Sequence, residues 1–225
     1  MKLHVFSLFS LILLAACSTS ADSFLQKGRE LLRQGQPGQA LEFLNKAVEK
    51  DPANADVFNA RGSAYFDLKR YPEAQLDFTR AIELDPQVYK PYYNRGRTYL
   101  AQEDFPKALE DLTEAVKLAP DTADVVFNRG IVHFMLNKFP EAMRDFDRAV
   151  LLNPRNYDYY YNRGTTRLRV QDIAGSLNDF RRSIQLNPQF AKGYFTLGLQ
   201  EILGQDPQQG CDHLPAARPR ARGRK

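Results

Sequence analysis

The chain is poor in the residue types that build metal sites and disulfide frameworks. Its 225 residues include only three histidines and two cysteines. The histidines are His4, His133 and His213, and they lack the short spacings that are typical of metal ligands. The sequence therefore predicts no metal site and no cofactor.

Common catalytic motifs are also missing. The chain has no Gly-x-Ser-x-Gly element. It has no phosphate-binding glycine-rich loop either, because its glycines recur at a long regular interval instead. No serine, histidine and aspartate are brought into a common register. An enzymatic function is therefore not expected.

Positive charge is in excess only at the C-terminal end. The formal net charge is +4 at pH 7, and the last eight residues carry Arg218, Arg220, Arg222, Arg224 and Lys225. The rest of the body is slightly acidic, so nucleic-acid binding is not predicted. Residues 215–225 are expected to form a disordered basic tail. Binding to an anionic surface and a truncated or altered reading frame are the alternatives for this tail.

What the chain does have is a regular repeat of 34 residues. Its clearest marker is a series of equally spaced glycines: Gly28, Gly62, Gly96, Gly130, Gly164 and Gly198. The triplet Asn-Arg-Gly occurs three times in this register, at residues 94–96, 128–130 and 162–164. A fixed period of this length is typical of architectures that stack one structural unit many times.

Each repeat is counted here from the residue seven before its glycine, so that the glycine is position 8. Apolar residues at i, i+3, i+4 and i+7 form two runs per repeat, which predict two amphipathic helices, A and B. Small residues at positions 8, 20 and 27 allow close helix contact. Proline at position 32, such as Pro86, ends helix B. Prolines such as Pro72 suit the first turn of helix B.

These registers resemble the tetratricopeptide repeat (TPR) family. The shared features are a mostly aromatic position 4, Gly at 8, Ala at 20 and 27, Phe at 24 in several repeats, and Pro at 32. The resemblance implies an all-α fold, a right-handed superhelix of about six helix pairs. The predicted repeats span residues 21–54, 55–88, 89–122, 123–156 and 157–190, and a partial repeat spans 191–214. The last repeat is degraded, because Pro215 interrupts its helix B.

The N-terminal segment differs from the repeats. Lys2 precedes an apolar stretch from Val5 to Ala16, which is too short for a membrane-spanning helix but has the layout of a secretory signal. Residues 14–17, Leu-Ala-Ala-Cys, resemble a bacterial lipobox. The resemblance implies a signal peptide over residues 1–16 and acylation of Cys17. An ordinary signal peptide with a chance cysteine is the alternative.

Lipidation would fix where the repeats lie. Residues 17–20 would be the whole linker, so the first repeat is expected close to the bilayer surface. Ser18 follows the cysteine where Asp would favour the inner membrane, and the outer membrane is therefore favoured. With Cys17 acylated, Cys211 has no intramolecular partner.

An arginine at position 7 and an aspartate at position 23 change together along the chain. The predicted pairs are Arg61 with Asp77, Arg95 with Asp111, Arg129 with Asp145, and Arg163 with Asp179. The planar fork of arginine can hold both oxygens of a carboxylate. We predict a ladder of ion pairs, within a repeat or with the repeat before, that fixes the stacking register and does not bind a ligand.

In the TPR family helix A lines the concave face, and the resemblance implies an aromatic, apolar and asparagine-rich groove from repeat 3 onward. The candidate groove residues are Tyr93, Asn94, Arg97, Phe127, Asn128, Ile131, Tyr161, Asn162, Thr165 and Phe195. Asparagine can pair with both polar groups of an extended peptide backbone. No position 5 is Lys and no position 9 is Asn, so the family's clamp for C-terminal carboxylates is not expected.

These features predict a membrane-anchored scaffold in the bacterial envelope that binds an extended segment of a protein partner. The combination of a lipoprotein signal and about six TPRs resembles the pilotin-type lipoproteins of type IV pilus assembly, which help a secretin ring reach or assemble in the outer membrane. An adaptor for cell-wall hydrolases or other envelope machinery is one alternative. A soluble secreted TPR protein with an anion-binding tail is another. The oligomeric state is left open.

Overall fold

The computed structural model describes residues 20–204 and 211–214. The predicted signal peptide, Cys17 and the basic tail at 215–225 lie outside the described residues. In the described ranges the chain forms helices and no strands. The helices are α1 (Ala21–Arg33), α2 (Pro37–Lys50), α3 (Ala55–Asp67), α4 (Tyr71–Leu84), α5 (Tyr89–Ala101), α6 (Phe105–Leu118), α7 (Ala123–Met135), α8 (Phe139–Leu152), α9 (Tyr157–Arg169), α10 (Ile173–Leu186) and α11 (Ala191–Leu203). Residues 211–213 are also helical. None of the described helices has the length and apolar character needed to span a lipid bilayer.

The odd-numbered helices are the predicted helices A, and the even-numbered ones are the predicted helices B. Each helix A packs against helix B of its own repeat, and each helix B packs against helix A of the next. Helices A of neighbouring repeats also touch one another from α1 to α9, whereas neighbouring helices B do not to the same extent. Because the helices A are closer together, they line the inner side of the stack. The all-α solenoid of antiparallel helix pairs is confirmed.

Proline and capping residues set the helix bounds. Helices α2, α4, α6 and α8 each have proline in their first turn, where its missing N–H costs no hydrogen bond. Helix α10 has no such proline, and the side chain of Asp172 instead accepts a hydrogen bond from the N–H of Gly175. Helix α4 ends at Leu84, two residues before Pro86, in agreement with the predicted stop signal.

The repeated glycine lets helix A lie directly on a large side chain of helix B. A Cβ atom added to Gly62 would lie 2.7 Å from the ring of Phe78, which is fully buried. The glycines of the other complete repeats meet the same position of helix B. The position-24 side chains are Leu44, Phe78, Leu112, Phe146 and Phe180, all 0–1% exposed. The 34-residue glycine period is therefore a packing period.

The turn between helices A and B contains a feature that the sequence interpretation missed. Position 15 has a positive φ of 58–71° in each of the first five repeats: Gly35, Lys69, Glu103, Asn137 and Gln171. Only repeat 1 uses glycine there, although the left-handed conformation costs other residues roughly 1–2 kcal/mol. The same sharp turn in every repeat keeps the angle between the two helices constant.

Candidate peptide-binding groove

The four predicted arginine–aspartate pairs lie at the junction of helices A and B. Each arginine donates from Nε and Nη2 to the two carboxylate oxygens of the aspartate sixteen residues later, over distances of 2.5–2.9 Å. The aspartate side chains are only 4–8% exposed. These contacts are within one repeat, which is one of the two pairings that the sequence left open.

The third nitrogen of the arginine connects one repeat to the one before. Nη1 donates to the side chain at position 25 of the preceding repeat in three cases, which are Arg61 to Asn45 at 3.1 Å, Arg95 to Thr79 at 2.8 Å, and Arg163 to Asp147 at 2.9 Å. The arginine thus contacts helix B of both its own and the preceding repeat. This geometry suits a register-fixing role and leaves little of the guanidinium free for a ligand.

Repeats 4 and 5 add a second basic group to the buried aspartate. His133 Nδ1 lies 3.0 Å from Asp145, and Arg167 Nη1 lies 2.9 Å from Asp179. Burial alone would raise the pKa of Asp145, but hydrogen bonds from His133 and Arg129 outweigh it and lower the pKa below its ordinary value. Both basic groups occupy position 11, where repeats 2 and 3 have tyrosine.

The last repeat inverts this arrangement, which the sequence interpretation missed. Position 11 is Glu201, whose side chain is 1% exposed and accepts from Arg181 of α10 at 2.8 Å. His213, at position 23, contributes Nδ1 at 2.6 Å from the same carboxylate. The acid has moved to helix A and the base to the following helical segment. Glu201 and His213 are twelve residues apart, as are His133 and Asp145. This equal spacing is the sequence signal from which the pair could have been predicted.

The inner surface carries exposed apolar side chains at its C-terminal end. Phe195, Leu199 and Leu203 follow one another at intervals of four on α11, and they are 53%, 40% and 70% exposed. Met135 of α7 is 50% exposed. Only Phe195 belongs to the predicted groove set. The others occupy positions 9 and 13, where several other repeats carry arginine or aspartate, and this contrast could have identified them.

Tyr161 corrects one of the groove predictions. Its side chain is buried, with 8% exposure, and its ring packs against Phe180 and Phe190 at centroid distances of 5.5 and 5.0 Å. Its hydroxyl shares a 3.2 Å hydrogen bond with Thr196 of the next helix A. The following repeat covers Tyr161 almost completely, so this side chain is a packing residue, whereas Tyr93 and Phe127 at the same position stay half-buried. Phe195 is exposed because no further described helix covers it.

The asparagines of the groove also take part in packing. Asn94 donates through Nδ2 to Asn59 at 3.0 Å, and Asn128 donates to Tyr93 at 3.2 Å and to a backbone carbonyl at 2.7 Å. Asn162 donates to the carbonyl of Asp158 at 2.8 Å. Asn128 has therefore used both amide hydrogens, and only its Oδ1 can serve a peptide. At this position the side chain could therefore accept a hydrogen bond from a peptide N–H, but it could not donate one to a peptide carbonyl.

The remaining predicted residues line the middle of the inner surface, where they are half-buried. The ring of Phe127 lies between those of Tyr159 and Phe146, at centroid distances of 4.6 and 5.6 Å. Thr165 donates to the carbonyl of Tyr161 at 2.9 Å, and Ile131 adds an apolar side chain beside them. These residues form the floor of the groove, to which Phe127 and Ile131 contribute half-buried apolar side chains.

Among residues 20–204 and 211–214, no three His, Cys, Asp or Glu side chains are grouped to hold a metal ion. Burial raises the pKa of Tyr93, and the nearby Arg97 opposes this shift. Desolvation also raises the pKa of Asp67, although its side chain remains exposed, and of the half-buried Asp158.

The repeat geometry and the sequence registers define the class of protein. The model of the tetratricopeptide repeat family matches residues 25–89 and 93–160, which together make up more than half of the chain. The chain belongs to the tetratricopeptide repeat family. No curated protein is similar enough in sequence to be counted as a relative.

Solved structures with the same fold include bacterial TPR proteins. The Pseudomonas aeruginosa protein pilF is 21% identical, with a TM-score of 0.78 over 86% of this chain and 88% of that one. MamA from Desulfovibrio magneticus RS-1 is 22% identical, with a TM-score of 0.67 over 75% and 95%. YrrB, a TPR protein with an unusual peptide-binding site, is 20% identical, with a TM-score of 0.66 over 77% and 90%. These likenesses establish the shared fold.

Proposed function

We propose that the protein is a membrane-anchored scaffold of the bacterial envelope that holds an extended segment of a partner protein in the groove formed by its helices A. Its role is binding and positioning, without chemistry. Within the envelope we propose type IV pilus or secretin assembly as its pathway. An adaptor role for cell-wall hydrolases or other envelope machinery is the alternative.

The observation that carries the proposal is the exposed apolar stripe on α11. Phe195, Leu199 and Leu203 lie on one face of the helix and are 40–70% exposed. Apolar side chains that lie together on a surface are typical of binding sites, because covering them with a partner removes them from water. Phe195 would supply the largest apolar contact at low entropic cost.

The floor of the groove supports an extended rather than a helical ligand. Acceptor oxygens of Asn128 and Asn162 recur along the inner side at the 34-residue period, and their amide groups are fixed by hydrogen bonds to the protein. Fixed acceptors suit the backbone N–H groups of an extended chain, whereas the N–H groups of a helical ligand are already bonded within the helix. The peptide-binding site named for YrrB is consistent with this use of the fold.

Membrane attachment rests on the lipobox resemblance of residues 14–17, which precede the described part of the chain. Because α1 begins at Ala21, a lipid on Cys17 would hold the first repeat near the membrane. The envelope pathway rests on the combination of this anchor with the repeat array. The likeness to pilF over 86% of the chain supports the repeat architecture on which this pathway proposal depends.

A photo-crosslinking amino acid at Phe195, expressed in the native cell, would test the groove. We expect one envelope protein to be captured there and identified by mass spectrometry. The matched control places the same probe at Arg144, an exposed residue of helix B in α8. Equal capture at both positions, or no specific adduct at Phe195, would contradict a groove-binding function. A captured cell-wall hydrolase would favour the alternative pathway.

Replacing Cys17 with Ala tests the anchor separately. We expect the protein to move from the membrane fraction to the soluble periplasmic fraction. Unchanged membrane association would contradict lipidation at Cys17 and favour the third reading of the sequence, a secreted protein with an anion-binding tail.

A further inference from the structure

Arg97 differs from the other arginines of the neighbouring helices A. The position-7 arginines each hold a buried aspartate, Arg29 pairs with Asp56 at 3.1 Å, and Arg33 pairs with Glu30. Arg97 forms no ion pair with any carboxylate in the described part of the chain, although it lies half-buried at position 9 of repeat 3. Its positive charge in the middle of the groove is therefore held by no direct ion pair, although it acts on the carboxylate of Asp67 from a longer distance.

Two aromatic rings hold this guanidinium in place. Its central carbon lies 5.1 Å from the ring centroid of Phe66 and 5.5 Å from that of Tyr93. Cation–π contact fixes the planar group through its faces and leaves the N–H donors along its edge free. A fixed arginine fork loses little side-chain entropy when it binds a carboxylate through two parallel hydrogen bonds.

A small cavity opens beside Arg97. Its volume is about 50 Å³, and it is lined by Ser63, Phe66, Asp67, Phe78, Asn94 and Arg97. The hydroxyl of Ser63 already donates to the carbonyl of Asn59. Asn94 donates one of its two amide hydrogens to the side chain of Asn59. Arg97 and the second amide hydrogen of Asn94 are the donors that remain for a small anionic group.

We propose that this cavity binds the side-chain carboxylate of an Asp or Glu residue in the extended segment that occupies the groove. The inference rests on the proposed function, because it assumes that a peptide lies along the helices A. A side chain suits the place better than a chain terminus does, because the inner surface continues on both sides of repeat 3, toward Arg29 and toward Ile131. A peptide that passes through would present a side chain here.

Asp67 is expected to lower the affinity of this cavity for a carboxylate. Its carboxylate lines the same cavity, and its pKa is raised by desolvation while Arg97 acts in the opposite direction. A second carboxylate placed on Arg97 would therefore meet the negative charge of Asp67, which weakens binding. Replacing Asp67 with Asn should strengthen the preference for acidic peptides, and replacing Arg97 with Gln should abolish it. The two changes act in opposite directions.

Selection of random peptides tests the proposal without knowledge of the natural partner. The probes are two displayed twelve-residue libraries, one flanked at both ends by glycine–serine sequence and one with a free C-terminus. The full chain, Arg97→Gln and the control Arg144→Gln are used as baits. Arg144 is an exposed arginine of α8, so its replacement removes the same charge from the opposite surface.

In the flanked library, the unaltered protein and Arg144→Gln should enrich Asp or Glu at one register position by about tenfold, which corresponds to one charge-assisted hydrogen-bonded pair. Arg97→Gln should lose this enrichment and keep the enrichment of apolar residues. Arg97→Lys should keep a weaker acidic preference, because a point charge lacks the fork geometry. Circular dichroism should show a folded Arg97→Gln variant with only a small loss in melting temperature, because Arg97 forms no ion pair with a described carboxylate but does contact the rings of Phe66 and Tyr93.

Three results would overturn the proposal. Apolar enrichment without an acidic position would leave the groove function intact and refute carboxylate recognition, as would an acidic preference that survives in Arg97→Gln. Enrichment only in the free-terminus library would assign the cavity to a terminal carboxylate instead. If no bait selects any peptide, the proposed groove function fails, and the carboxylate site fails with it.

Discussion

Replacing Arg95 with Ala removes a member of the arginine–aspartate ladder in which each of the three guanidinium nitrogens donates a hydrogen bond. Its Nε and Nη2 each lie 2.8 Å from an oxygen of Asp111, and Nη1 lies 2.8 Å from Thr79 of the preceding repeat. The hydrogen bond to Asp111 raises the pKa of Arg95. Asp111 is 8% exposed and, unlike Asp145 and Asp179, has no second basic group among the described residues. The variant would leave this carboxylate buried and unpaired.

The expected loss of stability is large for a single substitution. Removing one partner of a buried ion pair costs about 3–5 kcal/mol, and the 18% exposure of Arg95 places this case near 3 kcal/mol. For a chain of this size, that loss lowers the melting temperature by about 6–12 °C. Urea unfolding followed by circular dichroism at 222 nm measures the free energy, and a thermal melt checks it.

Two controls separate charge pairing from general damage. Arg80→Ala breaks a surface pair whose side chains are 48% and 57% exposed, and it should cost under about 1 kcal/mol. The double variant Arg95→Met with Asp111→Leu removes both charges and should recover most of the loss, because no buried charge remains. Arg129→Ala should cost less than Arg95→Ala, since His133 still contacts Asp145.

Two results would show that Arg95 does not stabilise the fold by pairing with Asp111. If Arg95→Ala costs no more than Arg80→Ala, the ladder contributes no more than a surface ion pair. If the double variant is as unstable as Arg95→Ala, removing the unpaired carboxylate restores nothing, and the loss does not come from an orphaned carboxylate.

The remaining predictions concern packing, pH and the C-terminal tail. Gly62→Ala should destabilise the fold by about 1–3 kcal/mol, because the new Cβ would lie 2.7 Å from the buried Phe78 ring, whereas Gly38→Ala, with open space around it, should be neutral or stabilise by up to about 1 kcal/mol; urea unfolding compares them. The lowered pKa of Asp145 contributes stability that is present above about pH 3.9 and is lost as pH falls through the folded-state pKa. The difference in unfolding free energy between the unaltered chain and Asp145→Asn should therefore narrow between about pH 5 and pH 2. A difference that stays constant over this range would contradict the prediction. Deleting residues 215–225 should leave the helical content unchanged by circular dichroism, and a large loss would show that the tail caps the solenoid.

The sequence was sufficient for the fold because each signal is local and recurs. Glycine at position 8 and proline at position 32 act within one helix pair, and each of the five complete repeats shows them again. The pairing of position 7 with position 23 also followed from registers alone, because the two residues change together from repeat to repeat. A short solenoid repeats one set of contacts, so six weak signals reinforce a single architecture.

Packing between neighbouring repeats, by contrast, determined which side chains of the candidate groove are exposed. Tyr161 and Phe195 occupy the same position, yet they are 8% and 53% exposed, because α11 covers the first and no further described helix covers the second. The sequence predicted that the asparagines contact a peptide, because it did not reveal their partners within the protein. Asn94, for example, donates to Asn59, which lies 35 residues away on the adjacent helix A. The exposure of a side chain depends on the neighbouring repeat that packs against it, so it does not follow from the sequence of its own repeat.

The sequence by itself determined the repeat length, the helix pairs, the close glycine contacts and the identity of the ladder residues, since all of these follow from periodic steric and charge patterns along the chain. Only the tertiary structure decided that Arg97 forms no ion pair with a described carboxylate and which apolar side chains face solvent. Arg97 and Arg95 are two residues apart on α5, but the helix turns Arg95 toward Asp111 and Arg97 toward Phe66 and Tyr93. That difference in direction separates a structural ion pair from a candidate binding group.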